Sequence, residues 1–330
     1  MNVLNRIGKL IPVAICITLL SACSAPTFNM PMKKPELTNF KYDRDSNESH
    51  VISVSDSREP TALFSEGTLN YNVQIDGKNI DEVDYITTAI VDELTSRGLP
   101  TSADSTSEDA AKLNIVAFKI LNQRVSGFSP LVTFTQFSGD FTVNGETKRI
   151  VSFIKRAKVP IWHVVEDSIV ENTFNQPMTL LVQDVATRIS QSLSDDTISD
   201  KTVDSLVAEI NDKALDKSIR YMKVYQLGFG NNKAAIPHLL NLIDDSDDYV
   251  RLAVISSLGL LDAKSEVTRL ISIFNTAKLW QDKAMALKSL ADLNTAESKM
   301  IVDAEWNRIS EMKKPSKEAK WNKEILSLYR

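Results

Sequence analysis

Three histidines, His50, His163 and His238, are the first residues to weigh for chemistry. No two stand at a ligand spacing such as HxxxH, so no zinc site is expected. A denser constellation is Asp244-Asp245-Ser246-Asp247-Asp248. That many carboxylates could attract calcium, but an EF-hand loop also needs a central glycine and a distal glutamate, and both are missing here. The run reads as a solvated turn between two helices. Serine is plentiful, yet no Gly-x-Ser-x-Gly elbow occurs. With 10 glycines in 330 residues, no glycine-rich loop is available to cradle phosphate. Phe134, Phe137 and Phe141 lie along one apolar segment and are expected in the core. The expectation is a chain that is not an enzyme and that holds no metal.

The two cysteines belong to a different chemistry. Arg6 and Lys9 precede an apolar run from Leu10 to Leu20. Eleven residues are too few to span a bilayer, which takes about 20. A short apolar run behind a basic start is an export signal. It ends in Leu20-Ser21-Ala22-Cys23, which resembles the lipobox of bacterial lipoproteins. The resemblance implies a signal peptide over residues 1–22, lipid on the Cys23 thiol and an acyl chain such as palmitate on its amine. Ser24, rather than Asp, implies anchoring at the outer membrane, on the periplasmic face. That covalent lipid is the only cofactor expected. Cys16 leaves with the signal, so the remaining chain has no disulfide and no free thiol. Loss of Arg6 and Lys9 moves the formal charge from −5 to −7. An acidic chain without a basic block is not expected to bind nucleic acid, and its membrane contact is the lipid alone.

Residues 23–49 are broken by Pro26, Pro31 and Pro35 and then run dense in charge, Asn and Ser from Lys41 to His50. They are expected to be a flexible tether. Residues 50–198 alternate and cluster as an α+β domain. Val51 to Ser55, Leu69 to Ile75 and Lys112 to Val125 read as strands. Ile80 to Arg97 has helical spacing and stops at Gly98-Leu99-Pro100. Val132 to Val143 and Thr147 to Val159 flank Asn144-Gly145, a type I′ hairpin signal. Pro177 to Leu193 reads as a second helix. The order predicts a two-layer domain, an antiparallel sheet with two helices. The strand running into Asp56-Ser57-Arg58 and the helix ending in Arg97-Gly98-Leu99 are similar to YajG-type lipoproteins, which would imply no catalysis.

Residues 199–330 repeat themselves. A shift of 31 places Arg220 on Arg251, Leu227 on Leu258, Gly228 on Gly259, Ile236 on Val267 and Leu239 on Leu270. Ile236, Leu239, Leu240 and Ile243 form one apolar stripe, and Val250, Ala253, Val254, Ser257, Leu258 and Leu261 form another. Ala235-Ile236-Pro237, Leu239-Leu240, Leu242-Ile243, Asp245, Asp247, Val250-Arg251, Ala253 and Leu258-Gly259 together resemble a bacterial HEAT repeat. The resemblance implies an all-α HEAT-type solenoid with a binding groove, in three units at about 201–230, 234–262 and 265–294. It also implies Asp–Arg pairing between adjacent units. A C-terminal cap broken at Pro315 follows, with Trp306 and Trp321 as anchors. The expected function is a membrane-anchored periplasmic adaptor that binds a protein through the repeats, with Asn241, Tyr249, Arg251 and Trp280 as contact residues. The alternative is an accessory lipoprotein of an envelope transport or cell-wall machine, with recognition by the α+β domain. Lyases of the phycobilin type carry similar repeats, but a periplasmic address argues against that chemistry.

Overall fold

The computed structural model describes residues 27–46, 48–160 and 163–330. The expected signal peptide and the lipobox residues Leu20, Ser21, Ala22 and Cys23 lie outside them.

The first described segment overturns the tether. Thr27–Pro31 is a strand, β1, paired in parallel with β4 (Asn70–Ile75), which pairs antiparallel with β5 (Lys78–Asn79). Phe28, Met30 and Met32 alternate with polar residues or proline, so one edge of the segment is apolar. Met30, Met32, Phe40 and Tyr42 are all buried. Further along, Asp43 bridges to Thr197 and Arg44 pairs with Asp196 at 2.8 Å. The segment is an arm strapped across the folded body.

The main sheet is mixed rather than antiparallel. Its order is β6-β2-β7-β8-β9, with β3 also on β7. Here β2 is His50–Asp56, β3 Ser65–Gly67, β6 Thr101–Ala103, β7 Ala111–Gln123, β8 Leu131–Val143 and β9 Glu146–Lys158. Strand β2 runs parallel to β6 and to β7, and β3 runs parallel to β7. Parallel neighbours need a crossover connection; helix α1 (Glu82–Ser96) lies between β2 and β6 in the chain. The β8–β9 hairpin closes as predicted, with Asn144 and Gly145 at φ 52° and 80°, the left-handed pair that a type I′ turn requires.

The second helix starts ten residues earlier than expected. Short α2 (Asp167–Val170) continues through a π-helical turn, Glu171–Asn175, into α3 (Gln176–Leu193). Pro177 therefore sits inside a continuous helical run. It has no N–H to offer Thr173 one turn back, and the Thr173 carbonyl instead accepts the Thr133 hydroxyl at 2.6 Å.

The repeat region consists of α4 (Asp200–Asn211) and α5 (Arg220–Phe229), α6 (Ile236–Leu240) and α7 (Asp248–Leu260), α8 (Val267–Thr276) and α9 (Trp280–Leu293), then the capping pair α10 (Ala296–Ser310) and α11 (Lys317–Ser327). The second helices, α5, α7 and α9, form the inner row. Ser257 and Ser289 fit against Gly228 and Gly259, where an added Cβ would come within 2.5 Å and 2.9 Å of them.

The predicted two layers become three. On one face of the sheet Thr133 meets the π turn. On the other, Phe134 stacks on Trp321 of α11 with ring centres 3.8 Å apart, and Ser138 donates to the Leu328 carbonyl at 2.6 Å. Strand β8 is buried on both faces from Thr133 to Gly139. Phe134, Phe137 and Phe141 are core residues, as expected.

Candidate functional site

The inner row of a solenoid is where a groove is expected. Arg220 pairs with Asp245 of the next unit at 2.8 Å. Arg251 donates to the Asp245 carbonyl at 2.7 Å and to the Asp248 and Asp282 carboxylates at 2.8 and 3.1 Å. The expected pairing between units is present, and Arg251 belongs to it. The acidic run therefore anchors the ladder: Asp247 caps α7 by accepting from the Tyr249 amide. Burial, with a smaller push from Asp248, raises the Asp282 carboxyl, and Arg251 offsets this only in part.

Tyr249 and Trp280 occupy the same position in successive units, 31 residues apart. Their rings do not face solvent in an open groove. They cover β9. The Arg156 guanidinium lies 4.1 Å from the Tyr221 ring centre and 3.9 Å from that of Tyr249, a cation held between two aromatic faces. It also donates to Asn172 and Gln176. Lys155 lies 5.2 Å from the Tyr249 ring and 5.9 Å from Trp280. Burial pushes its ammonium down to about 8. The Tyr249 hydroxyl donates to the Ala157 carbonyl.

Two buried ionic clusters tie the α+β domain to the repeats. In the first, Glu93 and Arg97 pair at 2.6 Å with no solvent exposure. Arg97 also donates to the Tyr42 hydroxyl, the Thr187 hydroxyl and the carbonyls of Gln183 and Phe229. Arm, α1, α3 and the end of α5 thus converge on one guanidinium. In the second, Arg188 of α3 donates two parallel hydrogen bonds to the Asp292 carboxylate of α9, each 3.0 Å. Lys288 lies 2.9 Å from Asp292, and the Tyr329 hydroxyl donates to Asp292 at 2.7 Å.

Beside this second cluster opens a polar cleft of about 1010 Å³, lined among others by Lys148, Gln191, Asn231, Asp262, Asn294 and Arg330. Asn231, Asp262 and Asn294 end the three inner helices in left-handed backbone, with φ 57°, 53° and 49°, a conformation that Asn and Asp tolerate. Helix C-termini meet here, and their negative ends favour the lysines around them. Burial and the nearby Arg188 hold Lys148 below the usual lysine range.

Of the sequence-predicted contact residues, Asn241 alone is exposed, at the end of α6. Tyr249 and Trp280 are half-buried against β9, and Arg251 is engaged in the ladder. The four are not gathered into one surface. Among the described residues, no three His, Cys, Asp or Glu side chains are placed to hold a metal. His50 is half-buried and burial lowers its pKa; His163 is exposed and His238 half-exposed. The residues that sequence reasoning missed are the buried charges. Their signal was present: Glu93/Arg97, Asp184/Arg188 and Lys288/Asp292 are opposite charges spaced i,i+4 inside apolar helices.

Residues 203–291 match the family model of HEAT repeats, in agreement with the resemblance read from the central unit. A crystal structure of an uncharacterized protein overlaps 51% of this chain and 100% of its own, at 11% identity and a TM-score of 0.29. So loose an overlap says nothing of function. No curated protein matches the chain in sequence.

Proposed function

We propose that the chain is a lipid-anchored periplasmic adaptor, held at the outer membrane through Cys23 and binding a protein partner with its repeat region. The observation that carries this reading is the match of residues 203–291 to HEAT repeats, modules that commonly mediate protein–protein interaction. The lipobox supplies the address. Because the inner row is covered by β9, α3 and the C-terminal cap, the partner surface moves to the outer helices α4, α6 and α8. Asn241 stays on that surface, whereas Tyr249 and Trp280 act in holding the two domains together.

Photo-crosslinking in cells with the full chain tests this. A crosslinker at Asn241 is expected to capture a partner protein. One at Tyr249 is expected to react only within the chain, with β9. Partner capture from Tyr249 and not from Asn241 would sink the outer-surface assignment. A second reading, an accessory lipoprotein of an envelope machine with recognition by the α+β domain, draws on one feature. A groove of about 430 Å³ lies between the arm and α1, bordered by Leu37, Ile80 and Tyr85, and Leu37 is exposed.

A further inference from the structure

The loop between β7 and β8 carries the two most exposed large apolar side chains among the described residues. Phe128 is 96% exposed and Val125 87%. The loop is not slack. The Ser129 hydroxyl accepts from the amides of Val125 and Ser126 at 3.0 and 2.8 Å and donates to the Ser126 carbonyl. Arg124 folds back to the carbonyls of Gly127 and Ser129. The polar groups of the loop are turned inward on one another, and the apolar tip is held outward. Val159 adds a third exposed apolar side chain at the same end, because β9 ends at Lys158 opposite Leu131, where β8 begins.

The described residues begin at this end too. Thr27 pairs with Asn70, two residues from Thr68. The Thr68 hydroxyl accepts from the Arg124 amide, and the Thr68 amide donates to the Asn122 carbonyl. The start of β1 is therefore next to the base of the exposed loop. Only three residues separate Cys23 from Thr27, and the four residue steps between them reach at most about 14 Å. Acyl chains on Cys23 would enter the bilayer beside Phe128.

We infer that the β7–β8 tip is a membrane-contacting loop, in which Phe128 and Val125 enter the bilayer interface next to the anchor and set how the body stands on the membrane. The inference rests on the lipid anchor proposed above. An aromatic ring on a pre-ordered loop suits the interface, where apolar side chains settle about 5–10 Å into the headgroup boundary. A lipid and one loop make two contacts, and two contacts fix an orientation that one flexible attachment leaves free. The outer helices would then face the periplasm at a fixed angle.

The test uses the full lipidated chain, purified from membranes and reconstituted into protein-free phosphatidylethanolamine/phosphatidylglycerol vesicles. With Cys16 removed and the Cys23 thiol acylated, Phe128→Cys supplies the single free thiol for a spin label. Glu146→Cys, at the far end of β9 and about 40 Å away, is the control. The label at 128 is expected to be several-fold more accessible to oxygen than to a water-borne nickel complex, while the label at 146 shows the reverse. A label at 128 that remains as water-exposed as the control, on chains that mass spectrometry shows to be acylated, overturns the inference and leaves the anchor intact. Absence of acyl chains on Cys23 overturns the anchor itself and the inference with it. Position 128 is fully exposed, so labelling it leaves the fold undisturbed.

Discussion

Arg97 and Glu93 show what a buried charge does at the scale of one residue. Both are wholly buried, and Arg97 is satisfied only by groups that come from four different segments. Removing one partner of such a pair strands the other in a medium that cannot hydrate it, at a cost of about 3–5 kcal/mol. Glu93→Gln is expected to lower unfolding free energy by that amount in urea titration. Combining Glu93→Leu with Arg97→Met should recover part of it, since neither charge is then left alone, while the buried Thr38 amide and hydroxyl lose their acceptor. Asp292 carries a pH signature. Burial on its own would push its carboxyl up, but Arg188 and Lys288 outweigh burial and hold it below the ordinary 3.8. A carboxyl with a lowered folded pKa contributes its full stability above 3.8 and loses it as the pH falls from there through the folded value. Acid unfolding followed by circular dichroism should therefore steepen below about pH 4. Asp292→Asn should flatten that limb while being less stable at neutral pH. These pairs were legible as i,i+4 spacings, but spacing does not tell a solvated helix face from a second packed one.

At the scale of elements, the π turn and Pro177 form a unit with Thr133. Pro177 has no N–H to offer the Thr173 carbonyl one turn back, and that carbonyl accepts the Thr133 hydroxyl. Thr133→Val should remove this buried bond and cost about 1–3 kcal/mol. Pro177→Ala, which restores an N–H, should reduce the penalty of Thr133→Val in a double-mutant cycle; equal penalties in both backgrounds would refute the link. Close helix approach gives a second test. Gly259→Ala places a methyl group 2.9 Å from the Ser289 Cα, main chain that cannot rotate away, and is expected to destabilise by about 1–3 kcal/mol. The helices, the Asn144-Gly145 turn and the three repeat units could be read from periodicity and turn chemistry. Parallel pairing of β2 could not, because nothing in a strand's own alternation names its neighbour. The arm was misread because three prolines and a charged stretch outweighed the alternation of Phe28, Met30 and Met32. Met30 and Met32 are buried, and Phe28 packs on Tyr71 only once β1 has paired with β4.

At the scale of the whole molecule, the question is whether the chain holds two domains or one body. Helix α3 decides it. Its apolar stripe predicts one buried face, yet every residue from Gln176 to Ser190 is buried. The polar side chains on its other face are taken up from several directions: Gln176 by Tyr221, Thr187 by Arg97, Arg188 by Asp292. Buried polar groups must be paired, and two of these partners, Tyr221 and Asp292, lie in the repeats. A sequence read one helix at a time assigns such residues to solvent, which is why the expected groove was drawn open. The consequence is cooperative. A chain ending at Ser199 would bare α3, the outer edge of β9, and both ionic clusters together. It is expected to be recovered unfolded or aggregated, while the full described body unfolds in a single calorimetric transition. Two separated transitions, with a truncated domain that retains its near-ultraviolet circular dichroism, would instead show that the repeats swing free of the sheet. In that case Tyr249 and Trp280 would return to the surface as candidates for partner contact.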